Sequence, residues 1–162
     1  MKTLKEWIDI IQERGFLLQA LYGMLKGDWT HLLVYSDWLQ DNNDFFGEYI
    51  QYIYKRIQNR QDKETKEEWK RYQFLGNWVY DNTIKGIKDW YFMSGYNNNE
   101  WVNSKENITI SVYRLKFELV KPGFGNDEKL SWEDVPTELL KAGLAKHLEY
   151  NYHFDSPINN NS

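Results

Sequence analysis

The side chains that could carry chemistry are few, and the densest group is acidic. It consists of Asp37, Asp41, Asp44 and Glu48. Carboxylates bind hard cations and can act as general acids or bases. Asp41 and Asn43 begin like a calcium-binding loop, but Phe46 and Tyr52 stand where such a loop needs glycine and glutamate. Helix caps and ion pairs are therefore the favoured interpretation of this cluster.

Other sequence patterns that could indicate catalysis, metal binding or phosphate binding are weak. The histidines are His31, His147 and His153, and the last two are six residues apart, which places them on different faces of a helix. The chain has no cysteine, so it has no thiol nucleophile and no cysteine-type zinc site. Gly123 and Gly125 lack the lysine and hydroxyl pair of a phosphate-binding loop. We therefore predict no catalytic, cofactor-binding or metal-binding residues.

The overall composition predicts a globular domain and excludes several classes of protein. The chain has 162 residues, a net charge of -4 and a sequence pI near 5.4, which argues against a nucleic-acid partner. Its apolar runs are too short to span a membrane, and its amino terminus lacks the apolar segment of a signal peptide. With the absence of cysteine, these features predict a cytoplasmic protein.

Aromatic residues make up 17% of the chain, with 8 Trp, 12 Tyr and 8 Phe. Two interpretations are open. Buried rings can enlarge the core of a small domain, because each removes a large apolar area from water. Exposed Trp and Tyr side chains can instead form a recognition surface, because they supply contact area at a small entropic cost.

The first half of the chain has the apolar spacing of helices. Thr3 and Glu6 form a capping-box pattern before a first helix that Gly15 is expected to end, with Leu4, Trp7, Ile8 and Ile11 on its buried face. Further helices are predicted over 16–26, which Gly27 ends, and over 31–40, with Asp28 as its cap. A fourth helix is predicted to follow, with Asn43 or Asp44 as its cap. The mixed charges over 55–71 predict a solvated helix or connector, and helical character is expected to end near residue 81.

Beyond residue 82 the period changes to that of strands. Strand candidates are Ile84–Met93, Trp101–Val102, and a long segment over 108–119 whose alternation shifts by one residue. That shift predicts a β-bulge at Val112 and Tyr113. Turns are expected at 95–99 and a loop at 121–126. A last helix is predicted over about 134–150, and a disordered tail over 156–162.

These elements predict an α+β fold, in which amino-terminal helices pack on a small antiparallel sheet and a carboxy-terminal helix follows. We expect a single domain over 1–155. Its helical part covers about 1–80 and its strand-rich part about 84–121.

One segment resembles a known family. It has two parts, which are the run Leu33-Val34-Tyr35-Ser36-Asp37-Trp38-Leu39-Gln40-Asp41-Asn42-Asn43-Asp44 and, after it, Gly47-Glu48-Tyr49-Ile50. Together they resemble the signature of the bacterial repeat-companion domain. The resemblance covers about residues 31–53. It departs from the family pattern at Ser36, Gln40 and Tyr49, where that pattern has alanine, glutamate and phenylalanine. The family occurs in bacterial and phage proteins and has no established activity.

The residues of this motif are Tyr35, Asp37, Trp38, Asp44 and Glu48. Their spacing favours a structural element that joins two helices, with Asp37 accepting a hydrogen bond from the following turn or from a Trp indole and Glu48 reaching back to the Asn43 or Asp44 amides. A binding role for Asp37 and Glu48 is the alternative. The expected function is a non-catalytic module that binds a protein partner. Two alternatives stay open, which are a phage structural or host-inhibitory protein and a hydrolase using Asp37 or Glu48.

Overall fold

The computed structural model describes residues 1–59, 64–94, 99–120 and 128–152. In these ranges the helices are α1 (Leu4–Leu25), α2 (Thr30–Asp41), α3 (Phe45–Gln58), α4 (Lys66–Val79) and α5 (Thr137–Asn151). The strands are β1 (Trp90–Ser94), β2 (Asn99–Asn103), β3 (Ile108–Tyr113), β4 (Lys116–Leu119) and β5 (Glu128–Leu130). The predicted α+β class is confirmed. The predicted loop over 121–126, most of the turn over 95–99 and the tail over 156–162 lie outside the described residues.

The chain forms two compact units. The helical unit contains Met1–Val79 and the described residues from Glu149 onward, and the sheet unit contains Tyr80–Leu148. Each has its own apolar core. Fully buried side chains of the helical unit include Leu17, Leu21, Leu32, Tyr35, Leu39, Phe46, Ile50, Ile53 and Leu75. Those of the sheet unit include Trp101, Phe117, Leu139, Leu140, Leu144 and Leu148.

Helix α1 is one continuous helix, so the predicted end at Gly15 is wrong. The Thr3 and Glu6 capping box starts it as predicted, with reciprocal hydrogen bonds of 3.2 Å. It continues through Gly15 because one buried stripe, which includes Leu17, Leu21 and Met24, anchors its second half in the core. A glycine inside a helix costs only about 1 kcal/mol relative to alanine. The helix stops before Gly27, whose φ of 71° is the left-handed conformation that glycine adopts readily.

Helix α3 starts at a predicted cap, Asp44, whereas the N-cap of α2 is Trp29 and the predicted Asp28 acts from one residue before it. The Asp28 carboxylate accepts a 2.9 Å hydrogen bond from the Thr30 amide at the start of α2, and this bond lowers the pKa of Asp28. The Asp44 carboxylate accepts a 3.0 Å hydrogen bond from the Phe46 amide at the start of α3. Helix α4 ends at Val79, and a π-helical turn over Tyr80–Ile84 follows it. Part of the charged segment, residues 60–63, lies outside the described residues.

The sheet is an antiparallel meander in the order β1-β2-β3-β4-β5. The predicted bulge is wrong, because the segment over 108–119 folds as the hairpin of β3 and β4, with Tyr113 opposite Lys116. Arg114 and Leu115 form its two-residue turn, with φ of 49° and 64°. Positive φ at both positions is the geometry of a type I′ hairpin turn. Because this turn lacks the usual Asn or Gly, its sequence gave no turn signal and the reversal looked like a shift of phase.

The first predicted strand is also shorter than expected. Ile84 belongs to the π-helical turn, and β1 begins only at Trp90. The carbonyl of Ile84 accepts a 2.9 Å hydrogen bond from the indole of the buried Trp101. This bond pairs a buried indole N–H that would otherwise be costly to desolvate.

Helix α5 packs closely on one face of the sheet. Gly143 lies against the Phe117 ring, where an added Cβ would be only 2.6 Å from Cζ. Val112, on the neighbouring strand, is the next side chain that such a Cβ would meet. The absence of a side chain at Gly143 therefore allows the helix to lie on the aromatic ring.

Candidate functional site

The motif predicted from the sequence lies on two neighbouring helices, α2 and α3. Tyr35, Asp37 and Trp38 are on α2. Asp44 is the amino-terminal cap of α3, and Glu48 is in its first turn. The contacts of each side chain determine whether these residues form one site or several separate supports.

Tyr35 is fully buried, and its hydroxyl donates a 2.9 Å hydrogen bond to the Glu13 carboxylate on α1. Burial, together with the negative charge of Glu13, raises the pKa of the Tyr35 phenol well above its usual value. The phenol therefore stays protonated at neutral pH and remains a hydrogen-bond donor. It ties α2 to α1.

Trp38 makes a second connection between the same two helices. Its ring lies 6.1 Å from the Phe16 ring of α1 and 6.5 Å from the Tyr35 ring, measured between centroids. Tyr35 also meets the Phe46 ring of α3 edge-on at 6.4 Å. These aromatic contacts add to the area that the three helices bury.

Asp37 is exposed and accepts a 3.2 Å hydrogen bond from the Gln51 side-chain amide of α3. The same amide nitrogen lies 2.6 Å from the hydroxyl of the buried Ser36, and that hydroxyl donates to the Leu33 carbonyl at 2.7 Å. The donor to Asp37 is thus Gln51. The expected donors, a turn amide or a Trp indole, do not fill this role.

The backbones of α2 and α3 approach closely beside this hydrogen bond. A Cβ added at Gly47 would lie 2.5 Å from the Ser36 carbonyl oxygen and 2.9 Å from the Gln40 amide nitrogen. A real Cβ does not fit at such distances. Gly47 and the small Ser36 therefore permit the two helices to pack this closely.

Glu48 forms a two-pronged ion pair with Arg71 of α4. The arginine Nε and Nη2 atoms each donate a 2.6 Å hydrogen bond to one carboxylate oxygen. The Arg71 guanidinium also lies over the Phe45 and Phe74 rings, at 5.3 Å and 5.0 Å from their centroids. The expectation that Glu48 reaches back to the Asn43 or Asp44 amides is wrong, because both oxygens bind a more distant helix.

The hydrogen bonds from Arg71 lower the pKa of Glu48 below its usual value. Glu48 is therefore a stable anion at neutral pH. A carboxyl that is to donate a proton in catalysis needs the opposite shift, toward neutrality. The arrangement of Glu48 suits an ion pair that holds α3 to α4.

Tyr35, Asp37, Trp38 and Glu48 thus have separate partners on neighbouring helices, and Asp44 caps its own helix. Within the described ranges, no three His, Asp or Glu side chains come together as a group that could hold a metal ion. Arg71, Gln51 and Glu13, which bind the motif, were not predicted from the sequence. Their distances along the chain carry no local pattern, so no spacing signal identifies them.

A second feature was missed because the sequence predicted its opposite. Leu4, Trp7, Ile8 and Ile11, expected on the buried face of α1, are exposed by 77%, 51%, 45% and 67%. Tyr22 and Leu25 of the same helix are exposed by 60% and 55%. We call the line formed by Leu4, Ile8, Ile11, Gly15, Leu18, Tyr22 and Leu25 the α1 seam. It extends along the whole helix, on the side away from the stripe of core residues.

No helix in the described ranges is long and apolar enough to cross a membrane. Comparison with known proteins gives no family model, no curated protein and no solved structure that matches this chain. The resemblance over residues 31–53 therefore stays a prediction, carried by the motif residues alone.

Proposed function

We propose that this protein is a non-catalytic module that binds a protein partner through the α1 seam. The observation that carries the proposal is the exposure of six large apolar side chains along one helix, which are Leu4, Ile8, Ile11, Tyr22 and Leu25 of the seam and Trp7 at its border. Contiguous apolar surface is costly to expose to water. In proteins it commonly marks an interaction site.

The exposed aromatic residues suit this role. Trp and Tyr dominate the energetics of protein interfaces, because they bury a large area while losing few rotatable bonds. Trp7 and Tyr22 supply one of each on α1. The Nζ of Lys2 lies 5.0 Å from the centroid of the Trp7 ring, which keeps a positive charge beside this ring.

The contacts of the sequence motif support the same proposal. Asp37 and Glu48, the carboxylates with the best claim to catalysis, have separate partners in Gln51 and Arg71. The lowered pKa of Glu48 opposes a role as a proton donor. We therefore assign the motif to the scaffold of the helical unit and the binding role to α1.

Site-specific crosslinking tests the proposal. We would replace Trp7 by p-benzoylphenylalanine, irradiate cells that naturally make the protein, and identify crosslinked proteins by mass spectrometry. We expect a discrete crosslinked partner that is lost when Ile11→Glu is added. The matched control places the same probe at Val34, which is 44% exposed on α2. Identical products from Trp7 and Val34, or products that persist with Ile11→Glu, would refute the assignment.

A further inference from the structure

The α1 seam has the spacing of a coiled coil. Its seven positions follow one another at intervals of four, three, four, three, four and three residues over the full length of the helix. This is the heptad spacing of 3.5 residues on average, with a large apolar residue at six of the seven positions and Gly15 at the seventh. A helix with that repeat meets another helix along a narrow line and winds around it with a left-handed supercoil.

The seam is separate from the face that packs in the helical unit. The buried residues of α1 are Leu17, Ala20, Leu21, Gly23 and Met24. Four of them, Leu17, Ala20, Gly23 and Met24, lie about 110–170° around the helix axis from the centre of the seam, and Leu21 lies at its border, beside Leu18 and Leu25. An amphipathic surface helix needs only one apolar face to join its own core. On the second apolar face, Leu4, Ile8, Ile11 and Leu25 are exposed and can therefore contact a further helix.

Charges are segregated around the seam. In coiled coils, the residues that flank the apolar line set the choice of partner. On α1 the exposed charged flanking positions hold Lys5 and, just after the helix, Lys26, whereas Arg14 at a third flanking position is half-buried. The acidic residues Glu6, Asp9 and Glu13 all occupy positions away from the seam. This cationic border stands out because the whole chain has a net charge of -4.

The border distinguishes between possible occupants. A second copy would bring the same cationic border against itself, which gives no charge complementarity. A helix with acidic flanking residues would pair its carboxylates with Lys5 and Lys26, both of which are exposed. A membrane surface does not require apolar residues at strictly alternating intervals of four and three residues, because it contacts a broader apolar face of a helix.

We infer that the occupant of the α1 seam is an amphipathic helix of another protein, with an apolar heptad line and acidic residues at its flanking positions. This inference rests on the proposed function and adds the chemistry of the partner. Contacts between the two apolar lines would supply most of the affinity. The flanking charges would supply selectivity and a dependence on salt.

Two synthetic peptides test the inference with the full-length protein. Both have the length of α1 and Leu at the heptad line, and their flanking positions carry Glu in one peptide and Lys in the other. Calorimetric titration should show that the Glu peptide binds at least tenfold more tightly than the Lys peptide. The difference should shrink in high salt. Equal affinities, a preference for the Lys peptide, or no binding of either peptide would overturn the inference.

Variants separate the apolar and the charged contributions. Ile11→Glu should weaken binding of the Glu peptide at least tenfold, whereas the matched surface change Val34→Glu should alter it by less than twofold. Lys5→Glu should weaken binding of the Glu peptide severalfold and strengthen binding of the Lys peptide. Circular-dichroism melts of each variant verify that the fold is kept. If Lys5→Glu leaves both affinities unchanged, the assignment of an acidic partner is wrong.

Two other occupants would be recognised directly. Sedimentation of the protein as a dimer that Ile11→Glu dissociates would show a second copy on the seam. Flotation with vesicles of phosphatidylcholine and phosphatidylserine, lost in Ile11→Glu, would show a membrane surface. Either result would overturn the acidic helix as occupant. The peptides could fail to bind while crosslinking from Trp7 still yields a partner that is lost with Ile11→Glu. In that case the inference fails and the proposed function stands.

Discussion

Arg71 holds the Glu48 carboxylate with two parallel hydrogen bonds of 2.6 Å, across the contact between α4 and α3. The two residues are 23 positions apart in the chain. Their pairing shows how the motif over residues 31–53 is used in this molecule, because its most plausible catalytic carboxylate is committed to joining helices. The guanidinium covers the Phe45 and Phe74 rings at the same time, so it contributes packing as well as charge.

Loss of this ion pair should lower stability by a modest and pH-dependent amount. Since both side chains are partly exposed, we expect Glu48→Gln to cost at most about 1 kcal/mol at neutral pH. The folded-state pKa of Glu48 is lowered, so the contribution is present above the ordinary glutamate pKa and is lost as pH falls through the folded-state value. Thermal melts of both proteins should therefore differ at neutral pH and converge in acid. A difference that grows in acid would contradict this ion pair.

The close approach of α2 and α3 predicts a large effect at Gly47. An alanine Cβ would collide with the Ser36 carbonyl, so Gly47→Ala should destabilise the protein by about 1–3 kcal/mol. The matched control is Gly76→Ala in α4, where a Cβ meets nothing within 4 Å. That change should stabilise the protein by about 0.5–1 kcal/mol, because alanine favours helix over glycine. Urea unfolding of the two variants measures both effects, and equal shifts would argue against the tight helix contact.

The contribution of the partly buried hydrogen bond between Tyr35 and Glu13 to stability should be measurable by removing a single hydroxyl. Tyr35→Phe keeps the ring and its packing but removes a donor to a carboxylate, and we expect a loss of about 1–2 kcal/mol. Tyr150→Phe, at a site that is 84% exposed, is the control and should have no effect. In a double-mutant cycle with Glu13→Gln, the losses in free energy of unfolding caused by the two substitutions should not be additive. Additive effects would mean that these side chains do not interact.

The hairpin turn of the sheet unit should depend on the conformation of Arg114. Its φ of 49° is tolerated by Asn and is unfavourable for a β-branched residue. Both Arg114→Val and Arg114→Asn remove the guanidinium that lies over the Tyr113 ring. The difference in stability between the two variants therefore reports on the backbone conformation at this position. We expect the Val variant to be less stable than the Asn variant by about 1–2 kcal/mol. Equal melting temperatures would exclude a type I′ turn at this position.

The sequence predicted the features of this fold that depend on neighbouring residues. The capping box at Thr3, the cap at Asp44, the Asp28 hydrogen bond to the start of α2 and the change from helical to strand spacing are all local, because each follows from the conformations of a few adjacent residues. The hairpin turn at Arg114 and Leu115 is local too, but its residues lack the types that such turns favour. Pattern alone could not distinguish it from a bulge.

Long-range contacts explain the remaining differences. The spacing of Leu4, Trp7, Ile8 and Ile11 correctly indicates a helix with an apolar face, but a period cannot say which of two apolar faces meets the core of the same chain. Likewise, the motif residues were predicted to be structural, yet Gln51 and Arg71 are brought to them only by the packing of α3 and α4. For the motif, sequence reasoning found the residues and missed their partners.

In the proposed division of roles, the motif supports the helical unit and the α1 seam binds the partner. Comparing Ile11→Glu with Glu48→Gln, for both thermal stability and binding of the Glu-flanked peptide, tests it most directly. We predict that Ile11→Glu abolishes binding with little change in melting temperature, since Ile11 is 67% exposed, and that Glu48→Gln lowers the melting temperature while binding stays within twofold. If Glu48→Gln eliminates binding in a protein that remains folded, or Ile11→Glu binds normally, this division of roles is wrong.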